Sequence, residues 1–328
     1  MCRPSLSALF ALLPALWAAE PTISPTPQHA DFTGDHTRAA QVQSFVRQAD
    51  SQGGVWDSLP QVGGAYAISI SADGAVQVYA QDAAGLFYAK QTLSQLLKDV
   101  PHAADAQRDP FPALGIEEVA RLGTLPVGTV VDWPSIPHRG TVEGYYGRPW
   151  SHADRLSQFD FYGRNKLNTY IYAPKDDPYH RGDDAYKPYP EDQARQIREL
   201  VERAHANHVR FVWAIHPANT VQWHKNGGKD ELDGLCRKLE HMYGLGVRDF
   251  AVLVDDNEGE IIRPARQAEL CNYILENFIR KHPDVNQRLI MCPSHYCKYW
   301  APTWFLRTLG NGLDKSIHVM WTGDTVVH

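Results

Sequence analysis

Cysteine and methionine are scarce in this chain, five and four among 328 residues. So few and so unevenly spaced cysteines exclude a disulfide scaffold. The paired Cys/His spacing of a zinc site is also missing, because His295, Cys292 and Cys297 have no matching second pair. Neither a metal ion nor any other cofactor is expected. Positive charge is in no surplus: 32 Lys and Arg against 38 Asp and Glu leave a net charge of -6. A net-acidic chain without a Lys/Arg block speaks against nucleic acid as the main partner. Beyond the first residues, no apolar stretch approaches the roughly 20 residues needed to span a bilayer. What the chain does have is core material. It is 43% hydrophobic and 11% aromatic, with nine Trp. That rules out disorder for most of its length and suffices for one large domain or two ordinary ones.

The opening MCRPSLSALFALLPALWAAEP has the pattern of a secretory signal over residues 1–19. Arg3 supplies a thin positive start, residues 6–17 an apolar stretch, and Ala15, Ala18 and Ala19 a small-residue cleavage site. A buried N-terminal helix is the competing reading, and Pro4, Pro14, Pro21, Pro25 and Pro27 oppose it. Export by a bacterium, to the periplasm or the medium, is expected. Cys2 would leave with the signal. In an oxidising compartment Cys236, Cys271, Cys292 and Cys297 could pair, and spacing does not say how.

The remainder divides in two. Residues 22–135 have the mixed pattern of a small α+β domain. Alternating runs at 66–70 and 76–79 flank Asp73-Gly74, a hairpin signal. A helix follows over 83–97, with Leu86, Ala89, Leu93 and Leu96 on one face, and a strand over 127–131. The prolines of 133–137 mark a linker. From His138 the pattern becomes strand then helix, repeated. Strands are expected at 141–146, 169–173, 210–215, 250–254, 289–292 and 317–321, with helices between them. The first helix opens on Ser151 and Asp154, a capping-box pattern. These strands are short, continuous apolar runs, as in a parallel sheet covered on both faces. A doubly wound sheet and a (β/α)8 barrel both fit that order. No G-x-G-x-x-G follows the first strand, and polar and aromatic clusters stand at nearly every strand end. A barrel builds its site there. The expected fold is α/β: a (β/α)8 TIM-type barrel over 138–328, incomplete with about six strands, after the small domain.

Five clusters share those ends: residues 143–150, 172–177, 254–259, 292–296 and 320–324. Together they would offer one mouth several Asp, Tyr and Trp, one Lys and one Arg. Aromatics stack on sugar faces, while carboxylates and Lys bond hydroxyls, so a polyhydroxylated ligand suits the mixture. Asp255 and Asp256 stand at the centre. Two carboxylates can divide acid and base roles when their surroundings separate their pKa values, as glycosidases require. Neighbours in a regular strand point to opposite faces. Both can reach one substrate only where the strand gives way to a loop. The bland alternative is a solvated turn or cation site, but the glycine at 259 is one residue early for a calcium loop. His216 is read as structural and Trp321 as barrel core. The pairs Asp176-Asp177 and Asp183-Asp184 are read as loop or salt-bridge residues.

The segments EGYYGRPW, NTYIYAPKDDPYHR, DFAVLVDDNEGE and CPSHYC resemble glycoside hydrolase family 84. This is the family of β-N-acetylglucosaminidases and O-GlcNAcases, some once labelled hyaluronidases. The upstream half is similar to the small domain of bacterial members, notably at 81–88. The resemblance implies a retaining, substrate-assisted hydrolase of terminal β-linked GlcNAc on glycans or glycoproteins, passing through an oxazoline. It assigns Asp255 to orient the acetamido group and Asp256 to act as acid, then base. By the same resemblance Gly144 and Lys175 bind sugar hydroxyls, Tyr296 lies near the leaving group and acetamido site, and Val326 forms a wall.

The chain departs from the family pattern after His328. A Trp-Asp-Asn stretch and a later Asp and Asn, which complete the sugar site in the family, are not in it. A fragment of a longer gene product is the expectation, rather than an open barrel with bare sheet edges. A non-catalytic sugar-binding remnant stays open as the alternative function. A polysaccharide lyase or true hyaluronidase would call for a basic groove, which the net charge opposes.

Overall fold

A computed structural model describes residues 22–100, 113–182, 184–217 and 220–326. The proposed signal segment, Cys2 and Asp183 lie outside the described residues. Two compact units divide the chain, one ending at Trp133 and the other beginning at Pro134.

The first unit contains β1 (His29–Arg38), β2 (Gln41–Val46), α1 (Val55–Ser58), β3 (Tyr66–Ile70), β4 (Ala75–Ala80), α2 (Ala83–Leu96), α3 (Ile116–Ala120) and β5 (Thr124–Asp132). Its sheet runs β1-β5-β3-β4-β2. The β3–β4 hairpin turns at Gly74, whose φ is +86°. A Cβ there would lie 2.4 Å from the Arg38 carbonyl oxygen, so glycine is required. Alternation buries Ile68, Ile70, Val76, Val78 and Ala80, against which α2 packs. Asp82 starts that helix by accepting from the Gly85 amide at 2.8 Å.

The second unit alternates strand and helix: β6 (Gly140–Glu143), α4 (His152–Arg164), β7 (Thr169–Tyr172), α5 (Glu191–Ala206), β8 (Arg210–Ile215), α6 (Lys229–Gly244), β9 (Asp249–Leu253), α7 (Pro264–Asn277), β10 (Ile290–Cys292), α8 (Thr303–Gly312) and β11 (His318–Val319). All six strands are parallel, in the order β11-β10-β9-β8-β7-β6. In the four inner strands, β7 to β10, side-chain parity divides the residues between two buried layers. Tyr170, Tyr172, Phe211, Trp213, Phe250, Val252 and Met291 face the helices in one large core. Ile171, Ala173, Val212, Ala214, Ala251, Leu253, Ile290 and Cys292 form a second, narrower layer on the opposite face. Burial on both faces explains the continuous apolar strands.

The sheet is curled. β6 and β11 are its opposite edges, yet His138 just before β6 and His318 in β11 meet, Nε2 to Nδ1, at 3.0 Å. Burial and the nearby Arg210 and His318 push the His138 pKa down to about 4. The architecture is thus α/β, a curled parallel half-barrel with a separate small unit.

Some elements differ from expectation. The strand expected at 141–146 stops at Glu143, and the last strand shrinks to two residues. The cysteines at 236, 271, 292 and 297 are all free thiols, so the possible pairing is not realised. Among the described residues no helix is long and apolar enough to cross a membrane.

Candidate active site

The site grows from the ends of β7 and β9. Ala251 and Leu253 point into the narrow inner layer, and the two-residue period carries the same direction to Asp255. The next residue would turn toward the helices if the strand continued. Instead Asp256 has φ +54°, a left-handed conformation that breaks the alternation. Its carboxylate thereby stays on the side of Asp255. Parity also carries Lys175 inward beyond Ile171 and Ala173. Its ammonium lies 2.6 Å from Asp255 Oδ2 and 4.0 Å from Asp256 Oδ2, and its side chain is only 2% exposed.

The two carboxylates have different surroundings. The Asp255 side chain is 17% exposed and that of Asp256 43%. Asp255 Oδ1 is buried and accepts no hydrogen bond from any described residue. The backbone oxygen of Asp255 accepts from His216 Nε2 at 2.7 Å. A carbonyl oxygen only accepts, so Nε2 carries the proton, and burial lowers the pKa of the ring. Asp256 Oδ2 accepts from the Tyr146 hydroxyl at 3.0 Å, and Arg181 donates to that hydroxyl at 3.3 Å. Lys175 lies 5.4 Å from the centre of the Tyr146 ring. Tyr296 follows β10, and burial, then the charges of Asp256 and Asp255, push its pKa up to about 12. It is a phenol, hence a donor, at any working pH. Burial also raises the pKa of Cys292, leaving an uncharged thiol.

The candidate residues thus fall into two sets. Asp255, Asp256, Lys175 and Tyr296 share one electrostatic neighbourhood. Gly144 contributes backbone only, and an added Cβ would come within 3.2 Å of Val142 Cγ1. Val326 is exposed. It ends a stretch whose earlier residues bond the loop after β10, through Lys298 N to Gly323 O at 2.9 Å and Tyr299 N to Asp324 O at 3.0 Å. Tyr146 and Arg181 were not singled out in the sequence. Tyr146 stood inside EGYYGRPW, but no rule of spacing separates it from Tyr145. Arg181 is the arginine beside the carboxylate pair, whereas Arg148, the arginine of the cluster at 143–150, is exposed. Trp321, expected in the core, is 41% exposed. The first carboxylate of the motif, Glu143, faces the helices: it is 1% exposed and accepts from Arg155 at 2.8 and 2.7 Å, from the Trp150 amide and from the Tyr170 hydroxyl. Among the described residues no three His, Cys, Asp or Glu are grouped to hold a metal ion.

Two adjacent carboxylates, a buried ammonium and a phenol donor in one electrostatic neighbourhood can protonate, deprotonate and polarise a neutral polar substrate. Comparison with known proteins agrees with that chemistry. Domain 2 of glycosyl hydrolase family 20 matches residues 34–133. Protein O-GlcNAcase of Rattus norvegicus is 32% identical over 200 residues, which cover 57% of this chain and 21% of that protein, and the Mus musculus protein gives the same figures. The solved structure of CpGH84B superimposes with a TM-score of 0.79 at 26% identity, over 94% of this chain and 57% of that one. A mutant O-GlcNAc hydrolase of Thermobaculum terrenum gives 0.52 at 34% identity, over 58% and 42%. The chain therefore spans about a fifth of the curated relatives and just over half of CpGH84B. The beta-N-acetylglucosaminidase family itself matches residues 139–328, the whole strand-and-helix unit bar its first residues, and this chain belongs to that family, glycoside hydrolase family 84.

Proposed function

We propose that this chain carries the catalytic pair of a retaining β-N-acetylglucosaminidase that removes terminal β-linked GlcNAc from glycoproteins or glycans by substrate-assisted catalysis. The observation that carries the reading is the state of Asp255. One of its oxygens is held by Lys175, and the other is buried without a donor. A buried acceptor left unpaired costs about 1–3 kcal/mol, more when charged. A 2-acetamido N–H is the kind of donor that satisfies it. Held that way, the acetamido oxygen attacks the anomeric carbon as Asp256, the more exposed carboxyl group, protonates the departing oxygen. An oxazoline forms, and its developing positive charge is stabilised by Asp255. Asp256 then takes a proton from water, which attacks the same carbon from the opposite side. Two inversions give retention.

In this reading Lys175 and the backbone at Gly144 bond sugar hydroxyls, Tyr296 donates near the acetamido and leaving-group side, and Val326 belongs to the pocket wall. The curled sheet is part of a (β/α)8 barrel, and residues 1–19 direct export. The net charge of -6 supports no role for nucleic acid or acidic polymers.

The test compares an aryl β-N-acetylglucosaminide with the matching aryl β-glucoside. The first should be hydrolysed and inhibited by a GlcNAc-derived thiazoline, and the second, lacking the internal nucleophile, should be a very poor substrate. A stable covalent adduct on Asp255 after treatment with a 2-fluoro glucoside, seen in the intact mass, would sink the mechanism. Sugar binding without turnover would favour the non-catalytic alternative.

A further inference from the structure

The loop between β7 and α5 carries both cations of the site, Lys175 and Arg181, and the centre of that loop is a side chain with no part in the chemistry. Asp177 is two residues beyond Lys175 and four before Arg181. Its carboxylate accepts from the Tyr172 hydroxyl at 2.8 Å, the Tyr189 hydroxyl at 2.7 Å and the Tyr179 amide at 2.8 Å. Its backbone oxygen accepts from the amides of His180 and Arg181, both at 3.2 Å, and its own amide donates to Pro174 at 3.0 Å. The donors reach out of the loop. Tyr172 belongs to β7, and Tyr189, which precedes α5, also accepts from Trp213 Nε1 of β8 at 3.2 Å. All three rings lie in the large core on the helix side of the sheet. The loop is therefore tied by one carboxylate to rigid aromatic packing.

From this geometry we infer that Asp177 is a positioning residue. It sets Lys175 against Asp255, and Arg181 against the Tyr146 hydroxyl that bonds Asp256, so one buried anchor places both cationic arms on the two carboxylates. The inference rests on the functional reading above for the part that concerns turnover, but not for the part that concerns the loop. An ordinary loop aspartate makes one or two exposed contacts. This one is bound by three donors, two of them phenols whose ionisation burial strongly opposes. It also opposes the buried Lys238, whose ammonium lies 4.1 Å from the Tyr189 ring centre. Three hydrogen bonds to one charged carboxylate hold a loop that would otherwise sample several conformations. Misplacing a reacting or polarising group by about 1 Å can cost on the order of 100-fold in rate.

The experiment is a double-mutant cycle in the full chain with Asp177→Ala and Lys175→Met, read in two ways. The first is kcat/KM on an aryl β-N-acetylglucosaminide. Asp177→Ala should lower it about 10- to 100-fold, mainly through kcat, and the factor should shrink about three- to tenfold when Lys175 is already Met, the remainder acting through Arg181, because residues acting through one another are not additive. Equal factors in both backgrounds would show a merely structural role and overturn the inference. The second is amide hydrogen exchange by mass spectrometry, which needs no activity. Exchange should speed up in Asp177→Ala over residues 174–181, with the other strand ends unchanged. Unaltered exchange there overturns the inference whatever turnover does, and acceleration spread over the whole unit does so too. A chain with no turnover but a loosened loop would count against the hydrolase reading alone.

Discussion

Glu143 offers the sharpest separation of structural from chemical carboxylates. It opens EGYYGRPW at a strand end and is an acidic residue where a glycosidase would want one. Its surroundings say otherwise. The Glu143 side chain is 1% exposed and that of Arg155 13%, and the two are joined by a two-pronged contact. Replacing Glu143 by Ala leaves a nearly buried guanidinium, the Trp150 amide and the Tyr170 hydroxyl without their acceptor. Breaking a buried ion pair from one side costs about 3–5 kcal/mol. For a unit of this size that is a fall in Tm of about 6–20 °C. Thermal unfolding followed by Trp fluorescence measures it, and turnover at a temperature where the variant is folded should stay near that of the parent. A second variant identifies the cause. Glu143→Leu combined with Arg155→Leu removes both charges and should recover most of the loss, since apolar replacements of buried pairs are often neutral. A Glu143→Ala protein melting within about 2 °C of the parent but inactive would refute the reasoning and move Glu143 into the chemistry.

The remaining predictions concern the mouth and its pH dependence. Asp256→Asn should abolish most turnover of substrates with poor leaving groups and spare those with acidic phenols, which need little protonation to depart; equal loss on both would count against Asp256 as the acid. Asp255→Asn puts an amide where an acceptor is needed and should lower kcat by about 10²–10³-fold, with only a modest fall in Tm because Asp256, 4.0 Å away, still faces Lys175; steady-state kinetics beside a melting curve decides. A chelator should leave turnover unchanged, because the Lys175 ammonium already lies between the carboxylates, and loss restored by zinc would overturn this. Burial holds the His180 pKa down to about 3, below the unfolded value, so its contribution to stability is complete above pH about 6.5 and is lost as pH falls toward 3, at up to about 1.4 kcal/mol per pH unit. Urea titrations at pH 7 and 4.5 should show that loss, and His180→Gln should flatten it.

Strands with a buried face or two were legible at nearly full length; of the exposed ones, the edges expected at 141–146 and 317–321 are present but shorter, and β1 and β2 were not expected. The apolar runs at 66–70 and 210–215 coincide with β3 and β8, because burial writes itself into composition. The strand β1, with the sequence HADFTGDHTR, is exposed along nearly its whole length. It is held by pairing with β5, and backbone hydrogen bonds leave no trace in residue type. The helix α8 was expected only as a step in the strand-and-helix alternation, without bounds, for a related reason. Phe305 and Leu309 are its only buried residues, too few to mark a period.

The site was legible where it depends on parity, and so was the need for the strand to give way to a loop at its second carboxylate, but not the backbone angle that meets that need. Counting by twos from Ala251 puts Asp255 in the inner mouth, and counting from Ile171 does the same for Lys175. The same rule sends Asp256 the other way, and only its φ of +54° brings it back. Aspartate is among the few side chains that enter the left-handed region readily, though at a cost relative to glycine. Such a conformation persists where the surroundings over-determine it. Here the Tyr146 hydroxyl, backed by Arg181, holds the Asp256 carboxylate from outside, while His216 holds the Asp255 carbonyl on the inner side. An acidic duplet at a strand end is therefore not sufficient to make a working pair. In this chain the turn at its second member and the polar partners on both sides put two adjacent carboxylates, one sheltered and one open to solvent, against the same ammonium, which is the arrangement the proposed mechanism uses.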